Sequence, residues 1–285
     1  MPYATLDGIK TNYQVTGSGT PLLMLAPGGF DSSIMRWSAS GAWKELLPLN
    51  ALVDQFQVIA YDRREAGASG GRLEPLTWEA YVKQATALLD HLNIDSAYVL
   101  GGCMGVSVAL AIGHSAPQRV RGLLLHWPVG GYRWMHKGRS FFDGHIAYIR
   151  EHGLAAALEC AKELKTFWRG DPRGGPWSAA LANDPALAEA FVNQDLPNYI
   201  RILERSRDTL FNDTMPSGAS GDQVMAMQAP ACIMSGNDAA HTHSAAVALG
   251  ELLPKVRLSS VMPPEQTGVA VGAWIRESVA WMAQQ

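Results

Sequence analysis

The chain has 285 residues, of which 47% are hydrophobic and 17% charged, and a formal net charge of −3. That length suits one large α/β domain or a core with an inserted subdomain, and the near-neutral charge argues against nucleic acid or an anionic membrane surface as a partner. No run reaches the ~18 apolar residues of a spanning helix, the first residues lack the basic-then-apolar order of a secretory signal, and the three cysteines, Cys103, Cys160 and Cys232, are too scattered for a disulfide framework or a CxxC metal site. A cytoplasmic protein with reduced thiols and a small, partly apolar ligand is expected, and a homodimer stays open.

In chain order, alternation over 2–6 and 10–16 around "DG" predicts a hairpin. Short apolar runs follow at 21–26, 56–62, 97–102, 120–127, 230–236 and 256–262, most of them separated by helical patterns. That rhythm predicts a mostly parallel, doubly wound sheet with helices on both faces. Between Trp127 and Gln228 no strand is legible, whereas 140–168, 179–194 and 197–211 read as helix. The expected organisation is therefore a core of residues 1–127 and 223–285 with a helical cap at 128–222. The cap aromatics Tyr132, Trp134, Phe141, Phe142, Trp168 and Trp177 either wall an apolar pocket, with Trp134 as a substrate contact, or pack the cap onto the core.

The chemistry concentrates at "GGCMG", residues 101–105, a G-x-nucleophile-x-G pattern with cysteine as nucleophile. Glycines two residues to either side permit a sharp strand-to-helix turn, the following helix N-terminus favours thiolate, and the Met104 amide can face an oxyanion.

With these motifs the sequence resembles the α/β-hydrolase superfamily over nearly its whole length. "LMLAPGGFDSSIMRW" (23–37) resembles the family's oxyanion loop, with Pro27 at the usual His of its HG pair, which implies second oxyanion donors at Gly29 and Phe30. "AYDRREAGASGG" (60–71) resembles the D-x-R-G-x-G-x-S segment, with Glu65 at a usual Gly. "CIMSGNDAAH" (232–241) resembles the strand and loop delivering the triad acid, which implies Asp238 in that role. The resemblance implies an α/β-hydrolase fold and an enzyme without cofactor or metal.

The departure lies at the base. The family's His follows the last strand, but here that loop reads "SSVMPPEQTGVAV", with Glu265 and Gln266 in its place. Candidate replacements are His241 or His243 from the loop after Asp238, His126 at the end of the strand before the cap, and Glu265 itself, with Gln266 as a ligand contact. Three functions follow: hydrolysis or acyl transfer of a small ester, thioester or lactone through Cys103; a lyase or isomerase reaction using the oxyanion hole and Glu265; or ligand binding by a pseudo-hydrolase.

Overall fold

Asp7 and Gly8, both at positive φ (48° and 71°), make the tight turn that opens the chain as a hairpin. The computed structural model describes residues 2–165, 167, 170–213 and 215–285. Its strands are β1 (Tyr3–Leu6), β2 (Ile9–Thr16), β3 (Thr20–Leu25), β4 (Phe56–Tyr61), β5 (Ala97–Gly102), β6 (Val120–His126), β7 (Ala231–Met234) and β8 (Val256–Leu258). They form one sheet in the order β1-β2-β4-β3-β5-β6-β7-β8, antiparallel at β1/β2 and β2/β4 and parallel elsewhere. Every residue of β5 and β7 is buried, as strands covered on both faces require, whereas β1 alternates exposed and buried. This is the mostly parallel sheet that the strand rhythm predicts, in the α/β-hydrolase fold that the resemblance implies.

The helices are α1 (Gly41–Leu46), α2 (Pro48–Ala51), α3 (Trp78–His91), α4 (Met104–Ser115), α5 (Tyr132–Leu164), α6 (Ser178–Asn183), α7 (Pro185–Val192), α8 (Leu196–Leu210), α9 (Gly221–Met225), α10 (His243–Leu252) and α11 (Gly268–Met282). Five of them, α5 to α9, lie between β6 and β7. Helix α5 starts eight residues before the 140–168 segment read from periodicity, and is broken at Gly153, where φ is 78°. Its first turns are held by packing that no periodicity reveals. A Cβ added at Gly138 would lie 2.1 Å from the Phe211 ring, so only glycine lets α5 approach that side chain.

Two apolar cores lie on opposite faces of the sheet. One joins α3 and α4 to the cap aromatics through Phe30, whose ring meets Phe142 at 5.6 Å and Phe167 at 5.2 Å. The other gathers Trp37, Trp43 and Trp274 against Leu22, Met24, Leu100 and Leu124. Of the aromatics read between β6 and β7, Trp134, Phe142 and Trp177 are buried in the first core and Phe141 packs against it, as the packing alternative has it, whereas Tyr132 is 68% exposed.

Close approach fixes the turn between β5 and α4. A Cβ at Gly105 would stand 2.2 Å from the Leu25 carbonyl oxygen, and one at Gly101 would stand 2.5 Å from that of Gly105. Gly105→Ala is therefore expected to lower unfolding free energy by about 1–3 kcal/mol, the range for overpacking, read as a lower urea midpoint at unchanged slope.

Candidate active site

Cys103 joins β5 to α4 with φ 55° and ψ −125°, a conformation that an L-residue holds only when its neighbours over-determine it. Those neighbours are present: the Cys103 amide donates to the His126 carbonyl at 3.1 Å, and its own carbonyl accepts from the Val106 amide at 3.0 Å. Held in this way, the thiol reaches a cavity of about 470 Å³. Five loops at the carboxyl edge of the sheet complete the wall: Pro27 and Gly28 after β3, residues 40–43 at the start of α1, His126 and Trp127 after β6, Asp238 and His241 after β7, and Pro263 and Gln266 after β8.

Asp238 and His241 occupy a single short loop. Asp238 Oδ1 accepts the amides of Ala240 at 2.8 Å and His241 at 2.9 Å, and both carboxylate oxygens lie 2.9 Å from His241 Nδ1. Nδ1 carries the proton in that contact, which leaves Nε2, without an oxygen or nitrogen partner, to the Cys103 thiol. Burial opposes charge on both groups, yet their mutual attraction prevails. The Cys103 thiol is lowered by hydrogen bonding and charge from His241 and by the Gly28 and Met104 amides, while Cys103 and Asp238 push His241 up to about 9. The arrangement favours a thiolate–imidazolium pair backed by a carboxylate.

The two amides at the sulfur are also the donors available to an oxyanion. Met104 matches the sequence expectation. The second is Gly28, not Gly29 or Phe30: the chain turns left-handed at Gly28 and Gly29 (φ 113° and 62°), and Phe30 is carried away into the cap junction. An amide one residue upstream carries no side-chain signature, so the sequence could not single it out.

Glu265 is corrected as a candidate base. It is exposed, closes a 3-10 turn over Pro263–Glu265, and accepts the Met262 amide at 3.3 Å instead of lining the cavity. Gln266 is the residue turned inward. It donates to the carbonyls of Ser235 (2.9 Å) and Val261 (3.1 Å) and accepts from Trp127 Nε1 (2.5 Å), so both its donors and one acceptor site of Oε1 are spent on tying three loops together. His243 begins α10 and is absent from the cavity wall. His126 does line it: the ring is 5% exposed, Nε2 has no partner, and burial followed by the charge of His241 pushes it down to about 3. Trp134 is corrected as a substrate contact, since it is buried against Phe211 at 5.7 Å and does not line the cavity. Among the described residues the wall contains nothing from 128–222; Trp168 lies outside them. The aromatic wall that sequence reasoning missed comes from the core, as Trp43 and Trp127, with no motif around either.

A buried ionic layer supports the loop that carries Gly28. Asp62 accepts from Asn12 Nδ2 (2.8 Å) and from the amides of Ile34 (2.7 Å) and Ala68 (2.8 Å), and Arg63 Nη2 donates to the Gly29 carbonyl at 2.7 Å. Glu65 adopts the positive φ (68°) that the resembled motif assigns to glycine, and its carboxylate accepts from Arg64 Nε at 2.7 Å. Among the described residues no group of three or more His, Cys, Asp and Glu side chains has metal-binding geometry, and no helix is long and apolar enough to cross a membrane.

A family model described as alpha/beta hydrolase fold matches residues 21–144. The chain is 32% identical over 130 residues to 2-hydroxymuconate semialdehyde hydrolase of Pseudomonas sp. (strain CF600), covering 43% of this chain and 41% of that protein. It is 31% identical over 157 residues to the dihydrolipoyllysine-residue acetyltransferase component of the acetoin cleaving system of Cupriavidus necator, covering 55% and 39%. The match thus spans about two fifths of the length of these curated relatives. Among solved structures, the enol-lactonase from Burkholderia xenovorans LB400 aligns over 100% of both chains with TM-score 0.61 and 19% identity, a likeness of fold.

The charge pair has a measurable signature. A raised His241 stays protonated to about 9 while a lowered Cys103 ionises below the ~8.5 of an ordinary thiol, so thiolate and imidazolium coexist across the window between. Iodoacetamide labelling of Cys103, followed by mass spectrometry, should therefore reach half-maximal rate below pH ~8.5, and His241→Ala should move that midpoint upward.

Proposed function

We propose, from the premise that the chain belongs to the α/β-hydrolase superfamily, that it is a thiol-dependent hydrolase or acyl-transfer enzyme for a small uncharged ester, thioester or lactone. The observation that carries this reading is the convergence of Cys103, His241 and Asp238 on one cavity, with two backbone amides directed at the sulfur. A decayed binding protein has no need of that convergence, and the lyase reading loses its carboxylate, because Glu265 lies outside the cavity wall.

The chemistry follows from the geometry. The Cys103 thiolate attacks the substrate carbonyl carbon, and the carbonyl electron pair moves onto oxygen, where the Gly28 and Met104 amides donate to it. Collapse of the tetrahedral adduct expels the leaving oxygen or sulfur, which takes the Nε2 proton of His241 and departs as alcohol or thiol. The acyl group stays on Cys103 as a thioester. Neutral His241 then accepts a proton from water, or from another acceptor, as it attacks; the second adduct collapses to release the acid or transferred acyl product and restores the ion pair. Asp238 fixes the imidazole tautomer and favours its protonated form throughout. Among the described residues of the wall the charged or chargeable side chains are those of Cys103, Asp238, His241 and His126, with no lysine or arginine, which suits an uncharged substrate.

Removal of the base should lower kcat by about 10²–10⁴, measured with p-nitrophenyl acetate for His241→Ala, whereas Glu265→Gln should leave it unchanged. Intact-mass spectrometry with acetyl thioesters, p-nitrophenyl esters and lactones should find a transient acyl gain on Cys103 that is absent from Cys103→Ala and slow to clear from His241→Ala. If none of the three classes leaves an adduct on a thiol that iodoacetamide labels readily, the acyl-enzyme reading is wrong.

A further inference from the structure

Of the buried polar side chains on the cavity wall, His126 is left unused by the proposed acyl-transfer chemistry and has an unpartnered ring nitrogen. His126 ends β6 beside the elbow: its register partner is Gly102, its carbonyl accepts the Cys103 amide, and it lines the same cavity as the thiol. The ring is clamped by aromatic neighbours, with Trp43 edge-on at 4.5 Å and Trp127 stacked at 5.8 Å and 7° between planes. Among the described residues nothing satisfies its Nε2, although a buried ring nitrogen ordinarily finds a partner. Gln266, the other buried polar side chain on the wall, has both its amide donors and its Oε1 bonded within the protein. The cavity wall therefore combines flat apolar surfaces with a histidine whose Nε2 has no partner among the described residues.

The leaving atom must face Nε2 of His241 to receive its proton, which assigns the remaining space, walled by Trp43, Trp127 and His126, to the acyl group. We propose that His126 is a specificity-determining residue that hydrogen-bonds an uncharged oxygen on the acyl chain, so that the enzyme selects hydroxyacyl or oxoacyl substrates over plain hydrocarbon acyl groups of the same length. This rests on the acyl-enzyme reading for its account of turnover, though not for binding. The imidazole is suited to the task because it stays neutral: it can accept from a hydroxyl or, in its other tautomer, donate to a carbonyl, without the desolvation that a buried charge imposes. A site built around such a bond discriminates against the analogue that lacks it, because the buried nitrogen is then left unpaired.

The test compares β-hydroxybutyryl, β-oxobutyryl and butyryl thioesters of N-acetylcysteamine. At least one oxygenated probe should exceed butyryl by about tenfold or more in kcat/KM. That ratio should fall to about one in His126→Phe, which keeps a flat ring, and recover in part in His126→Asn, which restores a hydrogen-bonding group. A second measurement is independent of turnover: β-hydroxybutyramide, acetoacetamide and butyramide are titrated into Cys103→Ala protein while the imidazole resonances of His126 are followed by NMR. An oxygenated amide should shift them where butyramide does not. The proposal is overturned if the thioester ratios are near one in the native protein, if they are unchanged in His126→Phe, or if the His126 resonances fail to distinguish the amides. Absence of a Cys103 adduct alongside a selective His126 shift would instead sink the thiol chemistry and leave the binding role standing.

Discussion

The site depends on a backbone constraint, the positive φ of Cys103 between β5 and α4. Strain of this kind costs on the order of 1–3 kcal/mol and persists only where the surroundings admit no alternative. Here β6 holds the amide of Cys103 from one side, and the missing side chain of Gly105 lets α4 close to contact with Leu25 of β3 on the other. The same turn that strains the residue aims its thiol out of the sheet and brings the Met104 amide to the sulfur. Fold and reactivity are therefore joined through a single residue's dihedral angles.

Around that turn, the catalytic constellation is distributed differently from the pattern that the chain resembles. His241 and Asp238 share the loop after β7, three residues apart and in contact, while the loop after β8 contributes Gln266. These changes are coupled. With no imidazole in the loop after β8, its buried position is filled by an amide whose hydrogen bonds link Ser235, Val261 and Trp127. Trp127, itself at positive φ (54°), then stands between His126 and His241 and becomes part of the wall. The cavity accordingly lies among core loops, with the cap aromatics packed on Phe30 on the other face of the sheet.

Most of the architecture was legible because its signals are local. Buried apolar runs such as 97–102 have one common use in an α/β chain, and the glycines of "GGCMG" admit a steric explanation that the close contacts of Gly101 and Gly105 match. The Arg64–Glu65 ion pair is likewise local, joining adjacent opposite charges at a position of positive φ. What remained out of reach was direction. Glu265 and Gln266 are neighbours in sequence, and only the 3-10 turn started by Pro263 and Pro264 decides that the amide points inward and the carboxylate outward. His241 and His243 were equally plausible for the same reason, until the Asp238 loop turned one toward the thiol and α10 took the other. Trp134 looked available for substrate because nothing in the sequence announced Phe211 as its neighbour.

Placing Asp238 and His241 on one loop has a mechanical consequence. When acid and base come from separate loops, three segments must keep register for the proton path to survive thermal motion. Here the carboxylate and imidazole sit on one loop, braced by two amide contacts within it, so their mutual geometry depends on that segment alone. A displacement of the loop after β7 away from Cys103 would separate the charges while leaving the Asp238–His241 contact whole, so the nucleophile would lose its activation before the base lost its partner.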